Sequence, residues 1–345
     1  MRMLKRLLMS WMLLAAPSCF AQVAGLNTLA VLDLSSSART AALGMDFLSV
    51  ADAPLSLTLG NPSLIDNRHN RHASLDYVAI FSGAKSGSAL CGFRSPKLGA
   101  FVGGVQFNAY GRFEGYDEQD QSTGTFHAGD YLFYLGWGMH VDSNFSIGAS
   151  FKPILSQYEQ YTAFAFSLDL AGTFVSNDRS FAASLMARNI GAQLVTFDRT
   201  TERLPFSLDA TLSYKLENAP FRFFAQLADL HRWNLLYHDP LNPDSQTDPF
   251  TGEVRQQSLF VSVLDNLGRH VNVGLEVSIK EVFFLRLGYS WRQTREMQYI
   301  DRTNLNFSGF SYGFGLHARR FDLSFARNNY HLGQAPNFIT VDFKF

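Results

Sequence analysis

The chain has 345 residues, a formal net charge of −1 and 46% hydrophobic residues. That charge excludes attraction of nucleic acid by bulk electrostatics. A content of 32 Phe, 13 Tyr and 26 Gly with 11 Pro suits β structure better than a helical bundle, and a single large barrel runs to this length.

The first element is an export signal over residues 1–21: Arg2, Lys5 and Arg6 precede the apolar run "LLMSWMLLAA", and "PSCFAQ" offers cleavage after Ala21. A lipoprotein signal acylated at Cys19 is the rival reading. Pro17 and the absence of Leu three positions before Cys19 speak against it. Cleavage leaves Cys91 alone, so no intrachain disulfide is expected. Cys91 lies in the strand-like "SGSALCGF" and reads as a small apolar wall residue rather than a reactive thiol. No later segment is long and apolar enough for a membrane helix, so membrane residence would require a barrel.

Residues 22–70 are rich in small side chains and precede the first strand, which suggests a plug or hatch folded back into a lumen. From 71 to 345 the chain alternates with a period of two. "RHVNVGLEVSI" sets Val271, Val273, Leu275, Val277 and Ile279 opposite Asn272, Gly274, Glu276 and Ser278. "GFSYGFGLHA" sets Phe310, Tyr312, Phe314 and Leu316 opposite Ser311, Gly313, Gly315 and His317. The closing "NFITVDFKF" does the same with Ile339, Val341, Phe343 and Phe345. Fourteen strands are predicted: 72–81, 86–94, 98–111, 127–140, 145–155, 161–175, 180–190, 205–216, 219–230, 269–279, 281–293, 308–318, 320–329 and 336–345.

One greasy and one wet face fit a soluble sheet or, inverted, a membrane barrel with a polar lumen. The polar face carries Gly, Ser and Thr with isolated charges rather than many Lys and Glu. Aromatic residues such as Tyr131, Tyr214, Tyr289, Trp291 and Phe345 sit near strand ends like interfacial girdles. Both features favour an all-β, 14-stranded antiparallel transmembrane barrel. Short connections such as 142–144 and 177–179 are expected at the periplasm, and long ones such as 115–125 and 231–268 outside. The last, with Pro240, Pro243 and Pro249 and a possible short helix over 258–270, is a partner-binding candidate.

The search for chemistry yields no catalytic, cofactor-binding or metal residues and no cofactor. His69 and His72 lack a second ligand pair at zinc spacing. His140 and His317 fall on inward positions near strand ends, and His231, His238 and His331 fall in loops or strand ends. "GAFVGG" and "GFSYGFG" repeat glycine within strands instead of opening a helix, which leaves room for a crowded interior. Asp169, Asp209 and Glu276 point inward and are expected to pair with inward cations such as Lys152, Lys215 and Arg286.

"SSSARTAALGMDFLSVADAPLSLTLGNPSLID" resembles the N-terminal segment of outer-membrane proteins related to the long-chain fatty acid transporter. The matching positions are Ala42, Leu43, Gly44, Asp52, Asn61, Pro62, Ser63 and Leu64. "LRLGYSWRQTREM" and "FSGFSYGFGLHARRFDLSFARNNYHLG" further resemble the PorV/PorQ group of the type IX secretion system of Bacteroidetes, in its PorQ branch. The resemblance implies fourteen strands with an N-terminal hatch and an outer-membrane location in a Gram-negative bacterium. It also implies a non-catalytic anchor holding a PorZ-like surface partner, with PorU and PorV in the same attachment complex. The terminal Phe345 then resembles the signal read by the barrel assembly machinery. An outer-membrane transporter of hydrophobic small molecules is the alternative function, and an open diffusion pore is a third.

Overall fold

A computed structural model describes residues 29–80, 83–117, 119–197, 201–236, 259–297, 307–329 and 335–345. Fourteen strands form one closed sheet: β1 His72–Ala79, β2 Lys85–Ser95, β3 Gly99–Tyr116, β4 Ser122–His140, β5 Phe145–Tyr158, β6 Tyr161–Val175 and β7 Phe181–Val195 on one side. β8 Ser207–Lys215, β9 Phe221–Leu227, β10 Val271–Ile279, β11 Phe283–Ser290, β12 Phe310–His317, β13 Phe321–Asn328 and β14 Asn337–Lys344 make up the other. Each strand pairs antiparallel with its sequence neighbour, and β1 closes on β14 from His72 opposite Lys344 to Ala79 opposite Asn337. Closure removes the unpaired edge that an open sheet would present.

The alternation resolves in favour of the membrane. In β12, Phe310, Tyr312 and Phe314 are more than 40% exposed on the outside while Ser311 is 2% exposed on the inside. An outward belt of large apolar side chains with a polar interior is the arrangement of a transmembrane barrel. Cys91 is on the outer face and exposed, as a wall residue would be.

Three boundaries differ from expectation. The stretch 115–125, read as a long loop, is mostly strand: β3 runs to Tyr116 and β4 starts at Ser122. The reversal is tight because the Asp117 carboxylate accepts from the backbone N–H groups of Gln119 and Gln121 at 2.9 and 2.8 Å. Arg269 and His270, claimed both by the predicted strand 269–279 and by the short helix expected over 258–270, belong to the helix, which spans Leu259–His270. Trp291 and Arg292, read as the end of another, open the helix Trp291–Glu296, which Ser290 caps through its Oγ. Period-two and period-3.6 patterns coincide over two or three residues, so strand ends are where capping decides.

The core lies inside the barrel. Residues 29–71 hold a short helix, α1 (Ala38–Ala42), and four 3₁₀ turns, and most of these residues are buried against inward wall positions. Leu29, Val31, Leu32, Leu55 and Ile65 pack on Leu90, Val102, Leu132, Tyr134 and Ile154 of β2–β5. Leu43, Met45, Leu48 and Leu57 pack with Phe224 of β9, and Phe47 with Met186 of β7. The inner face of β2–β5 thus carries an apolar patch among the Gly, Ser and isolated charges expected of the lumen. The two remaining helices are α2 (Leu259–His270) and α3 (Trp291–Glu296), both at the end of the barrel opposite the chain's first and last strand ends.

Candidate functional site

The conspicuous cluster of chemistry is where the N-terminal segment meets the wall. Most of the positions that carry the sequence resemblance have a physical task there. The helix α1 ends at Leu43, and Gly44 follows with φ +65°, a conformation that glycine adopts without strain. The Leu43 backbone lies so close to Gly288 of β11 that a Cβ on that glycine would stand 2.2 Å from the Leu43 carbonyl carbon. Pro62 seats against Gly148 of β5 in the same way, at 2.3 Å. Asn61 caps the turn Pro62–Leu64 by accepting from the Ser63 N–H at 3.2 Å. The glycines of the inward face make room for backbone.

Charge fixes the other side of the segment. Arg39 of α1 donates from Nε and Nη2 to the two oxygens of Glu276 on β10, at 3.0 and 2.9 Å. Arg286 of β11 donates from Nε to the same carboxylate at 2.8 Å. Arg222 of β9 donates from Nη1 to Asp52 at 2.9 Å and to Glu276 at 3.3 Å. Three guanidinium groups thus surround two carboxylates, and Glu276 is 2% exposed. Isolated buried charges would be far too costly; fork geometry and multiple partners offset their desolvation. Burial works against the charge on Arg39, but Glu276 and Asp52 outweigh it and hold the guanidinium above its ordinary pKa. Desolvation raises the pKa of Asp52, whose side chain stays 51% exposed at the rim of the cluster, yet Arg39 and Arg222 dominate and hold it below the usual carboxylate range.

Further polar contacts line the interior. Gln226 of β9 accepts from the Asp46 N–H at 3.0 Å and donates to the Asp46 carboxylate at 2.8 Å. Ser56 donates from both its N–H and its hydroxyl to Asp342 of β14, each at 2.8 Å. Buried Lys152 meets Asp169 at 2.7 Å. The cluster opens on a cavity of about 900 Å³ at the end of the barrel that carries the short turns and the β1 and β14 ends. Its walls include Arg222, Glu276, Arg286, Arg319, Arg320 and Lys344.

A depressed carboxylate contributes stability above its ordinary pKa and loses it as the pH falls through the folded value. Asp52 has an ordinary value of 3.8. Hydrogen-exchange protection of residues 50–54, corrected for intrinsic rates, is therefore expected to fall as the pH drops below about 4. Asp52→Asn should remove that part of the dependence; unchanged protection of the parent protein down to about pH 2 would refute the role of Asp52.

Lys152 with Asp169 and Arg286 with Glu276 pair as expected. Lys215 does not serve Asp209: it lies at the rim with Glu281 at 3.3 Å, and Arg188 stands 3.9 Å from Asp209. His69 is buried; its Nδ1 accepts from the Asp66 N–H and its Nε2 donates to the Ala53 carbonyl at 3.0 Å. Burial holds its pKa below the ordinary value, against the pull of Asp66. His72 meets the His69 ring edge-on at 6.2 Å. His140 stands 3.8 Å from Asp66, His317 bonds Asp322 at the cavity, and His231 packs edge-on against Phe206. His238 and His331 lie outside the described residues. Among the described residues no group of three or more His, Cys, Asp or Glu side chains could hold a metal ion. Arg39 and Asp52 went unassigned from sequence as ion-pair partners. A single Arg in "SSSARTAALG", otherwise uncharged, was the available signal.

No known family profile matches the chain, and no curated protein matches it in sequence. Solved structures do resemble it. A deltaS2 mutant of the TodX monoaromatic hydrocarbon channel superposes with a TM-score of 0.51 at 11% identity, over 91% of this chain and 100% of that one. The Pseudomonas putida toluene transporter TodX gives 0.47 at 12% over 90% and 97%, and a Pseudomonas aeruginosa FadL homologue 0.48 at 9% over 90% and 99%. At such identities the likeness is one of fold, a closed antiparallel β-barrel.

Proposed function

We propose that this chain is an outer-membrane barrel acting as an anchor, a PorQ-like component of the type IX secretion system that holds a surface protein within an attachment complex. The observation that carries this reading is the filled lumen. The N-terminal segment is bonded to β8, β9, β10 and β14, while leucines pack it on the opposite wall. A barrel locked from within works through its outer surface. The partner classes follow from the sequence resemblance: a PorZ-like surface protein, with PorU and PorV nearby and the barrel assembly machinery during insertion.

A second reading is transport of small hydrophobic molecules. Its support is the fold likeness to a hydrocarbon channel, and the structural comparisons speak for it rather than for the anchor. It requires the inner segment to move and an apolar path to open.

Purification of the tagged native protein in mild detergent, with co-purifying proteins and extracted lipids identified by mass spectrometry, separates the two. A stoichiometric large surface protein is the result expected of an anchor. A barrel recovered alone with a bound fatty acid or hydrocarbon would overturn the anchor and establish the transporter.

A further inference from the structure

The helix α2 is amphipathic in an unusual sense. Its polar face, Asp265, Asn266 and Arg269, is turned into the protein. Asn266 accepts from the Leu235 N–H at 2.8 Å and donates to the Trp233 carbonyl. Arg269 donates to Asp265 at 3.0 Å, and Asp265 also accepts from the Trp291 indole at 3.0 Å and pairs with Arg295 at 2.9 Å. The opposite face, Phe260, Val263, Leu264 and Leu267 at i, i+3, i+4 and i+7, is between 41% and 72% exposed. A helix on the surface of a water-soluble domain would be turned the other way. Polar inside and apolar outside is the rule of the barrel wall itself.

Position supports the same conclusion. The helix runs directly into β10 and stands beside the outer end of β9, which at seven residues is the shortest strand. From β8 to β14 the strands have seven to nine residues, against 11–19 from β2 to β7. A strand crossing the hydrocarbon layer needs about 9–11, so the wall is low on this side and the helix extends its apolar belt. Lipid-facing side chains lead to it without a break. Outward Phe310 packs on Tyr289 with ring centroids 4.8 Å apart, and Tyr289 meets Trp291 at 6.5 Å. Trp291 then lies against Gly268 of the helix, where a Cβ would stand 2.8 Å from the indole. An indole at the end of a lipid-facing strand is a typical interfacial anchor.

We infer that α2 lies in the membrane interface above β9–β11, with Phe260, Val263, Leu264 and Leu267 in contact with lipid acyl chains, extending the apolar belt where the wall is short. The occupant of this face is lipid, not a protein partner. That assigns part of the 231–268 excursion to the membrane and leaves other outer surfaces for a partner.

The inference rests on the membrane location proposed above, and the test separates the two. Full-length protein with both cysteines replaced by serine receives single labelling sites at Leu264→Cys, Val273→Cys and Gln119→Cys. Val273 is an outward wall residue of β10, and Gln119 lies in the exposed β3–β4 turn. Each is labelled with an environment-sensitive fluorophore and reconstituted in phosphatidylcholine–phosphatidylglycerol vesicles containing acyl-chain nitroxide lipids. Quenching at position 264 several-fold above that at 119, strongest for shallow nitroxides, is expected. Quenching at 273 but none beyond the 119 level at 264 overturns the assignment of α2 and leaves the membrane barrel intact. Absence of quenching at 273 as well overturns the membrane location and the assignment of α2 with it.

Discussion

Glu276→Gln is expected to release the N-terminal segment from the barrel wall while leaving the wall closed. The substitution keeps the shape of the side chain and removes the charge that Arg39, Arg222 and Arg286 share. Asp52 then stands alone against three guanidinium groups, and it reaches Arg222 closely but Arg39 only at 3.8 Å. Breaking a buried ion pair from one side costs about 3–5 kcal/mol, because the remaining charge stays desolvated without its partner. The strands have their own hydrogen-bond ladder and do not depend on this carboxylate. The loss should therefore appear as faster hydrogen exchange over residues 38–57 and as new single-channel current in planar bilayers. Heat-modifiable migration of the barrel should persist. Adding Arg39→Met to Glu276→Gln should recover part of the loss, since one of the stranded cations is then gone; strict additivity of the two substitutions would refute a shared cluster. Parental exchange rates in Glu276→Gln would refute the charge lock itself.

Gly288→Val should displace the same segment by a different force. No φ requirement is involved; the constraint is space, since a Cβ at 288 meets the Leu43 carbonyl carbon at 2.2 Å and its oxygen at 2.4 Å. Backbone against backbone leaves no flexible group to yield, so the cost exceeds the roughly 1–3 kcal/mol of ordinary overpacking. The segment should detach around α1 and Leu43, with exchange protection lost there first. Gly172→Val, on the outward face of β6, is the control for the substitution itself: the nearest atom to a Cβ there would be the Ser146 carbonyl at 4.0 Å, an ordinary contact. Equal protection in Gly288→Val and the parent protein would mean that the segment can be shifted without cost, and the close approach would lose its meaning.

The two variants test complementary parts of one device. Charge holds α1 to β10 and β11, and glycine lets the chain come near enough for that charge to act. Neither is redundant: a guanidinium fork works over about 3 Å, and a side chain at 288 would hold the helix beyond that reach. Acid acts on the same seam through Asp52, so the pH profile and the Glu276→Gln variant should loosen overlapping stretches of chain.

The number of strands, the face each residue presents and the inward placement of Asp169, Glu276, Lys152 and Arg286 were legible in the sequence. A period of two is a local property, and a closed barrel keeps it over every strand. Glycine on the inward face was legible too, as room left for something inside. What the periodicity could not show is which residues meet across the lumen. Arg39 and Glu276 are 237 positions apart, and their contact exists because barrel closure brings β10 opposite α1. Pairing by charge alone would have joined Lys215 to Asp209, whereas strand ends and stagger put Lys215 at the rim and Arg188 inside. The helix at 259–270 was legible from its apolar spacing, whereas the one at 291–296 escaped for a related reason. Alternation reads a residue's own two faces and does not register the cap that Ser290 gives Gln293. The partners of Asp265, Asn266 and Arg269 come largely from the 233–235 segment and α3. Local pattern determined the wall; only the closed tertiary structure decided what fills it and what lies on its shortest side.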